Sequence, residues 1–165
     1  MTQLRIALSI DGSLSVTPSP VTPWKSDPWI CDTSAEVLDI YLDDQPTPVS
    51  LFTTTKTTHR DHYDAARARR DLTPTTLTAD VLLYNEQQAI TETTHSNIAF
   101  YRSSQWVTPA TSSGCLPGVF RRFLLEQCHI REAEEPLLLN DVVDGEDVLV
   151  FNSVRGCRLG RLLAA

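Results

Sequence analysis

The 165-residue chain is short of lysine. It has two, Lys25 and Lys56, against twelve arginines. It also lacks any apolar run of more than a few residues, which excludes a membrane-spanning helix. Its four cysteines, at 31, 115, 128 and 157, contain no CxxC pair and no zinc-ligand spacing. With no secretory signal pattern at the amino terminus, these are expected to be free thiols in a reducing cytoplasm. Positive charge is in deficit as well, the formal net charge being −7, so no nucleic-acid partner is expected. The nearest basic clusters are Arg67, Arg69 and Arg70, then Arg121-Arg122, and each reads as a solvated helix face. What remains is the composition of an ordinary globular protein of one domain, 41% hydrophobic and 21% charged.

The scarcity of lysine draws attention to "LFTTTKTTHRDHY", residues 51–63. Arginine carries a permanent charge and cannot act as an amine nucleophile, whereas a lysine of lowered pKa can. Lys56 is therefore a candidate for covalent chemistry, although a single lysine is also an ordinary surface charge. The flanking threonines, being β-branched, read as an extended segment.

Hydrophobic periodicity predicts a mixed α/β (α+β) order. Leu4–Ile10 and Leu14–Thr17 form a hairpin about Asp11-Gly12, followed by an irregular, proline-rich connection over 17–34. Strands are predicted at Val37–Leu42, Asp80–Tyr84, Ala89–Glu92, Asn97–Tyr101, Trp106–Thr108, His129–Glu134 and Val148–Asn152. Val49–Thr55 is predicted to be extended. His59–Arg70 reads as a helix with Tyr63, Ala66 and Arg67 at helical spacing, and Gly118–Gln127 as a second, clearly amphipathic one. Leu139–Val143 is a short helical turn.

Four stretches can carry chemistry together. Lys56 supplies an amine. Glu92, in "TETTHSN", supplies a carboxylate in an otherwise uncharged run. Gly118 opens a helix whose first free N–H groups would form an anion site helped by the helix dipole. Asn152 and Ser153, in "FNSVRG", end a strand in a polar turn that could add donors to the same anion. Each has a plainer reading. Glu92 suits a cap, Asn97 a turn, Gly118 a helix start, and Asn152-Ser153 a strand end. Taken together, amine, carboxylate and phosphate cradle are the parts of a pyridoxal phosphate site.

The wording of these stretches resembles the class IV (fold type IV) pyridoxal-phosphate aminotransferases, and most closely the 4-amino-4-deoxychorismate lyase group. "KTTHRDHYDAARA" is similar to the stretch around the family's cofactor lysine. "LLYNEQQAITETTHSNIAF" resembles its strand–turn–strand with T-E-x-x-x-x-N-[IL]. "TPATSSGCLPGVFRRFLLE" resembles its T-P…G-x-x-R segment, and "FNSVRGCR" the lyase group's N-S-V-R-G ending. The resemblance implies a bent, largely antiparallel sheet with a few helices, corresponding to the family's larger, cofactor-binding domain without the smaller amino-terminal one. It implies that Lys56 is the Schiff-base lysine and that Glu92 holds the pyridinium nitrogen. Gly118, Val119 and Phe120 would bind phosphate, with Asn152 and Ser153 on its other side. Arg155 and Arg158 would contact a substrate carboxylate, while Asn97 and Arg60 would brace the site. An amino-acid-like small molecule is the implied substrate, and a homodimer the implied assembly. Elimination of pyruvate to give 4-aminobenzoate is the implied reaction. An amino-acid aminotransferase and a non-catalytic or partner-dependent domain remain as alternatives.

Overall fold

The computed structural model describes residues 2–21, 27–30 and 36–164. Lys25, Cys31 and much of the proline-rich connection lie outside them. The predicted hairpin is present, pairing β1 (Thr2–Leu8) antiparallel with β2 (Leu14–Pro20) as a separate two-stranded sheet. Its register places Leu4, Ile6 and Leu8 opposite Pro18, Val16 and Leu14 on one face, and Gln3, Arg5 and Ala7 on the other.

The other strands are β3 (Leu38–Leu42), β4 (Ala79–Tyr84), β5 (Ile90–Thr93), β6 (Asn97–Arg102), β7 (Gln105–Thr108), β8 (Arg131–Glu132), β9 (Asp147–Asn152) and β10 (Gly156–Leu163). They make one eight-stranded sheet in the order β5-β4-β3-β10-β9-β6-β7-β8. Four of its pairings are antiparallel. The β10–β3, β3–β4 and β7–β8 pairings are parallel.

This order requires the sheet to curl. β5 and β6 lie five strand spacings apart, about 24 Å across a flat sheet at ~4.8 Å per strand. Yet only residues 94–96 join them, a link that spans at most about 14 Å. The two ends must therefore approach. Inside the curl Ile40, Leu82, Tyr84, Ile90, Ile98, Phe100, Val148, Val150 and Leu162 form the main core.

The strand alternation decides what covers the outside. Val81 and Leu83 of β4 face outward and meet Tyr63 and Ala66 of α2 (Asp61–Arg69). Leu149 and Phe151 of β9 meet Phe120 and Leu124 of α3 (Val119–Glu126). Among the described residues, no helix is long and apolar enough to cross a membrane.

Several sequence expectations change. Val49–Thr55 is not extended: Leu51–Thr54 forms a short helix, α1, capped by Ser50. The hydroxyls of Thr53 and Thr54 bond back to the Ser50 carbonyl, at 2.9 and 3.0 Å, so these threonines serve the helix rather than a strand. Extended backbone is found at its two caps, Ser50 at φ −152° and ψ 175° and Thr55 at φ −126° and ψ 139°, and Thr55 ends the helix one residue before Lys56. The strand expected over His129–Glu134 shrinks to Arg131–Glu132. β10 has no counterpart among the predicted strands, because Arg158 and Arg161 disguise it, yet it is central to the sheet.

The arginine clusters are not solvated faces. Arg67 is 1% exposed and pairs with Asp80 at 3.2 Å, and Arg121 is buried and pairs with Glu132 at 2.5 Å. Arg69 grips Asp43 through two hydrogen bonds of 2.8 and 2.6 Å. Arg122 alone of the two at 121–122 faces solvent. The described cysteines, Cys115, Cys128 and Cys157, are free thiols.

Gly160 is the tight point of the central strand. A Cβ there would lie 2.6 Å from Ile40 Cγ1 and 3.2 Å from Val148 Cγ2. Gly160→Ala should therefore cost about 1–3 kcal/mol by overpacking, measured by urea unfolding. An unchanged midpoint would show that the interior of the curl has slack.

Candidate active site

A cavity of about 640 Å³ opens where the loop after α1, the turn 93–96, the start of α3 and the turn 152–155 converge. Lys56, Glu92, Gly118, Val119, Phe120, Asn152, Ser153 and Arg155 all line it. Residues separated by nearly a hundred positions are thus brought to one place by the curl. Lys56 follows the end of α1 in a loop that the ring contact between Phe52 and His59, 4.2 Å between centroids, draws together. Its amine has no hydrogen-bond partner among the described residues. Burial lowers its pKa and the nearby Arg60 charge lowers it further, while Glu92 acts in the opposite direction.

Glu92 lies on β5 and is 4% exposed. Tyr63 Oη donates to its Oε1 at 2.6 Å, and Asn97 Nδ2 lies 3.5 Å from its Oε2. Burial raises its pKa to about 7 despite the Tyr63 hydrogen bond and the Lys56 and Arg60 charges, which favour the carboxylate. An acid so placed can exchange a proton near neutrality or hold a cationic N–H. Tyr63, in turn, is pushed well above the usual phenol range by burial and by Glu92.

The anion cradle is built at the other side. Gly118 precedes α3 with no side-chain cap, and the first N–H groups of the helix have no carbonyl four residues behind them within it. Gly118 also has a packing reason to be glycine. A Cβ would meet Asn97 Oδ1 at 2.3 Å. Asn97 Nδ2 donates to the Leu116 carbonyl at 2.8 Å. One side chain therefore links Glu92 to the start of α3.

The turn after β9 differs from expectation. Asn152 is occupied by the fold. Its Nδ2 donates to Ser96 Oγ at 2.9 Å and to the His95 carbonyl at 3.3 Å, and its Oδ1 accepts from Val154 and Arg155 N–H, both at 2.9 Å. Those two amides are consequently not spare donors for an anion, and Asn152 shapes the turn that presents Ser153. Arg155 lines the main cavity, but Arg158 does not. Arg158 donates to the Leu77 carbonyl at 3.2 Å beside a separate small cavity, because in β10 it points away from the Lys56 side. Arg60, which also lines the cavity, lies over the Tyr63 ring at 4.6 Å and donates to the Thr94 carbonyl at 2.7 Å.

Tyr63 and the run Thr93–Ser96 were missed as site residues. Tyr63 had a legible signal: it shares the buried helical face with Ala66 and Arg67, and a buried phenol needs a polar partner. The turn residues had none, since their place depends on the curl.

The chain is similar to known proteins along nearly its whole length. The family model described as amino-transferase class IV matches residues 4–161. The chain is 36% identical over 166 residues to a Schizosaccharomyces pombe protein named "Putative aminodeoxychorismate lyase", covering 99% of this chain and 68% of that one. It is 33% identical over 137 residues to the aminodeoxychorismate lyase of Saccharomyces cerevisiae, covering 74% of this chain and 36% of the yeast protein. It therefore spans only part of the length of these relatives. Among solved structures, one named as a "Putative amino-acid aminotransferase" from Mesorhizobium loti superposes with a TM-score of 0.77 at 28% identity, over 98% of this chain and 73% of that chain. The 4-amino-4-deoxychorismate lyase of Pseudomonas aeruginosa shares the fold, with a TM-score of 0.67 at 19% identity, over 94% and 57%.

The raised Glu92 pKa makes a prediction about stability. Between pH 4.5 and about 7 the folded protein holds a proton that the unfolded chain releases. This group's contribution therefore falls as pH rises across that window, by on the order of 3 kcal/mol. Denaturant melts at stepped pH should show Glu92→Gln losing stability less steeply than the wild type over this range. Parallel profiles would mean that Glu92 ionises freely in the fold.

Proposed function

The chain belongs to the amino-transferase class IV family, and we propose that it is a pyridoxal-phosphate-dependent lyase acting on 4-amino-4-deoxychorismate or a closely similar amino acid. The observation that carries this reading is the gathering of Lys56, Glu92 and the start of α3 around one cavity. The residues fit the cofactor chemically. Glu92 offers a buried carboxyl suited to a ring N–H, Val119 and Phe120 offer first-turn amides for a phosphate, and Lys56 offers an amine for an aldehyde. The names of the two yeast relatives support the lyase in preference to a transaminase.

When bound, the cofactor's ring would supply a sink for the electron pair left at the substrate Cα. This chain's residues would do the rest. Lys56, with its pKa lowered by burial, has an increased neutral fraction and can hold the aldehyde carbon. Displaced by the substrate amine, the same Lys56 Nζ would take the Cα proton. Glu92, oriented by Tyr63, would keep the ring nitrogen protonated. Arg155 would face the substrate carboxylate at the cavity wall. Loss of the Cα proton and expulsion of pyruvate would leave an aromatic product, 4-aminobenzoate.

We further read residues 1–165 as one cofactor-binding domain of a cytoplasmic enzyme that works as a homodimer or with a partner that completes the pocket. The exposed apolar face of the β1–β2 hairpin supports association, with Leu4, Ile6, Leu8, Leu14 and Val16 each more than half exposed.

The test is direct. Purified protein given pyridoxal phosphate should develop a near-visible absorbance band, and borohydride should fix the label on the Lys56 peptide. Lys56→Ala should lose both. With 4-amino-4-deoxychorismate, pyruvate and 4-aminobenzoate should appear in equal amounts. Keto-acid-dependent amine transfer without pyruvate release would assign the aminotransferase reaction, and a labelled lysine other than Lys56 would sink the site.

A further inference from the structure

Asp80 lies near the start of β4 and is 4% exposed. It does not line the Lys56 cavity. Three of the five donors that surround its carboxylate nevertheless belong to the turn between β5 and β6. Oδ2 accepts from Thr93 Oγ1 at 2.8 Å and from His95 N–H at 3.2 Å. Oδ1 accepts from Thr94 Oγ1, from Val81 N–H at 2.9 Å and from Arg67 Nη1 at 3.2 Å. Five donors meet the roughly four lone-pair sites of a carboxylate, so its acceptor capacity is fully used. Arg67 is likewise enclosed, with its other donors on the carbonyls of Thr73 and Thr76.

The turn that Asp80 grips presents its other side to the cavity, where residues 92–97 all contribute to the wall. Glu92 immediately precedes it and Asn97 immediately follows it. Arg60 docks on its Thr94 carbonyl, and Asn152 docks on its His95 carbonyl and Ser96 hydroxyl. Arg60 and the 152–155 turn are thus attached directly to this one turn, Glu92 and Asn97 flank it, and the start of α3 is attached through Asn97. The turn is itself closed by Thr93 N–H to the Ser96 carbonyl at 2.8 Å and by Ser96 N–H to Thr93 Oγ1 at 3.1 Å.

We infer that Asp80, balanced by Arg67, is a positioning residue for the active site: from behind the cavity wall it sets the turn 93–96 and through it the placement of Glu92, Asn97, Arg60 and the 152–155 turn. The inference rests on the proposed cofactor reading for one of its two readouts and is independent of it for the other.

The geometry separates this role from mere support of the core. Thr93→Val and Thr94→Val each keep a β-branched side chain of nearly the same shape and remove one donor to Asp80, Thr94→Val without touching the hydroxyl of Thr93 that also bonds Ser96 within the turn. Asp80→Asn removes the charge and places a donor among donors, and it is the variant most prone to unfold. The threonine variants keep the test decisive if it does.

Two measurements on the purified full chain decide the matter. The first is the dissociation constant of pyridoxal phosphate by spectroscopic titration. The second is the titration of Glu92 by carbon NMR of labelled glutamate in protein without added cofactor. Each threonine variant is expected to weaken cofactor capture about tenfold or more and to move the Glu92 titration. Asp80→Asn should do the same more strongly wherever it folds. Variants that lose stability but keep both the wild-type dissociation constant and the wild-type Glu92 titration would overturn the inference. If wild-type protein takes up no pyridoxal phosphate, the cofactor reading fails, and the Glu92 titration alone decides: a shift in Thr93→Val or Thr94→Val upholds the positioning role, and an unchanged curve ends it.

Discussion

The contact on which the rest of this structure depends is the grip of a buried carboxylate on a four-residue turn. The eight-stranded sheet closes toward itself because β5, at one edge, is joined to β6 across residues 94–96. At that junction the chain leaves the ladder, and Asp80 gathers the donors found there, accepting from the Thr93 and Thr94 hydroxyls and from the His95 amide. Arg67 balances the charge from α2, which packs on the outer face of β4. Such a pair adds little net stability over apolar residues of the same volume, but breaking it leaves an uncompensated buried charge. Its effect is to specify one arrangement at the point where the sheet closes.

The chemistry follows from the same closure. Glu92 is buried because it stands at the end of β5 against α2, and burial is the largest influence raising its pKa to about 7. Tyr63 meets it because the α2 face that buries Ala66 and Arg67 also turns Tyr63 inward. Asn97, the first residue of β6, spans from Glu92 to Leu116, and its carbonyl oxygen packs so closely on Gly118 that no side chain fits there. The acid and the amide-rich start of α3 are therefore held at a fixed spacing by one side chain. Lys56 enters from a different element, a loop released by the short helix α1, and its amine has no hydrogen-bond partner among the described residues.

Much of this was legible beforehand where a local rule governed. The amphipathic stripe of α3, the buried face of α2 and the alternation in β4 and β9 each appear in the sequence because each packs one face on a core. The candidate site residues were picked out for another reason: an amine, an acid and a glycine-led helix are recognisable by residue type, and the order of these stretches resembles that of a known family. The errors have physical causes too. The threonines before Lys56 suit a strand by propensity, yet their hydroxyls bond the Ser50 carbonyl and hold a helical turn. β10 was hidden because Arg158 and Arg161 interrupt its apolar pattern, while Gly160 allows it to fit between β3 and β9. Arg67 and Arg121 looked like surface charge because local sequence does not reveal a carboxylate supplied by a distant strand.

The amino-acid sequence by itself determined which chemical groups this protein has to work with, and which helical and strand faces turn inward, because residue type and periodicity act over a few neighbours. Only the tertiary structure decided where those groups meet. It put Arg155 on the cavity and Arg158 away from it, turned Asn152 from an anion donor into a turn-former, and made Tyr63 the partner of Glu92. Those outcomes depend on strand order and on the curl of the sheet, which bring together positions from 56 to 155 that no local pattern relates.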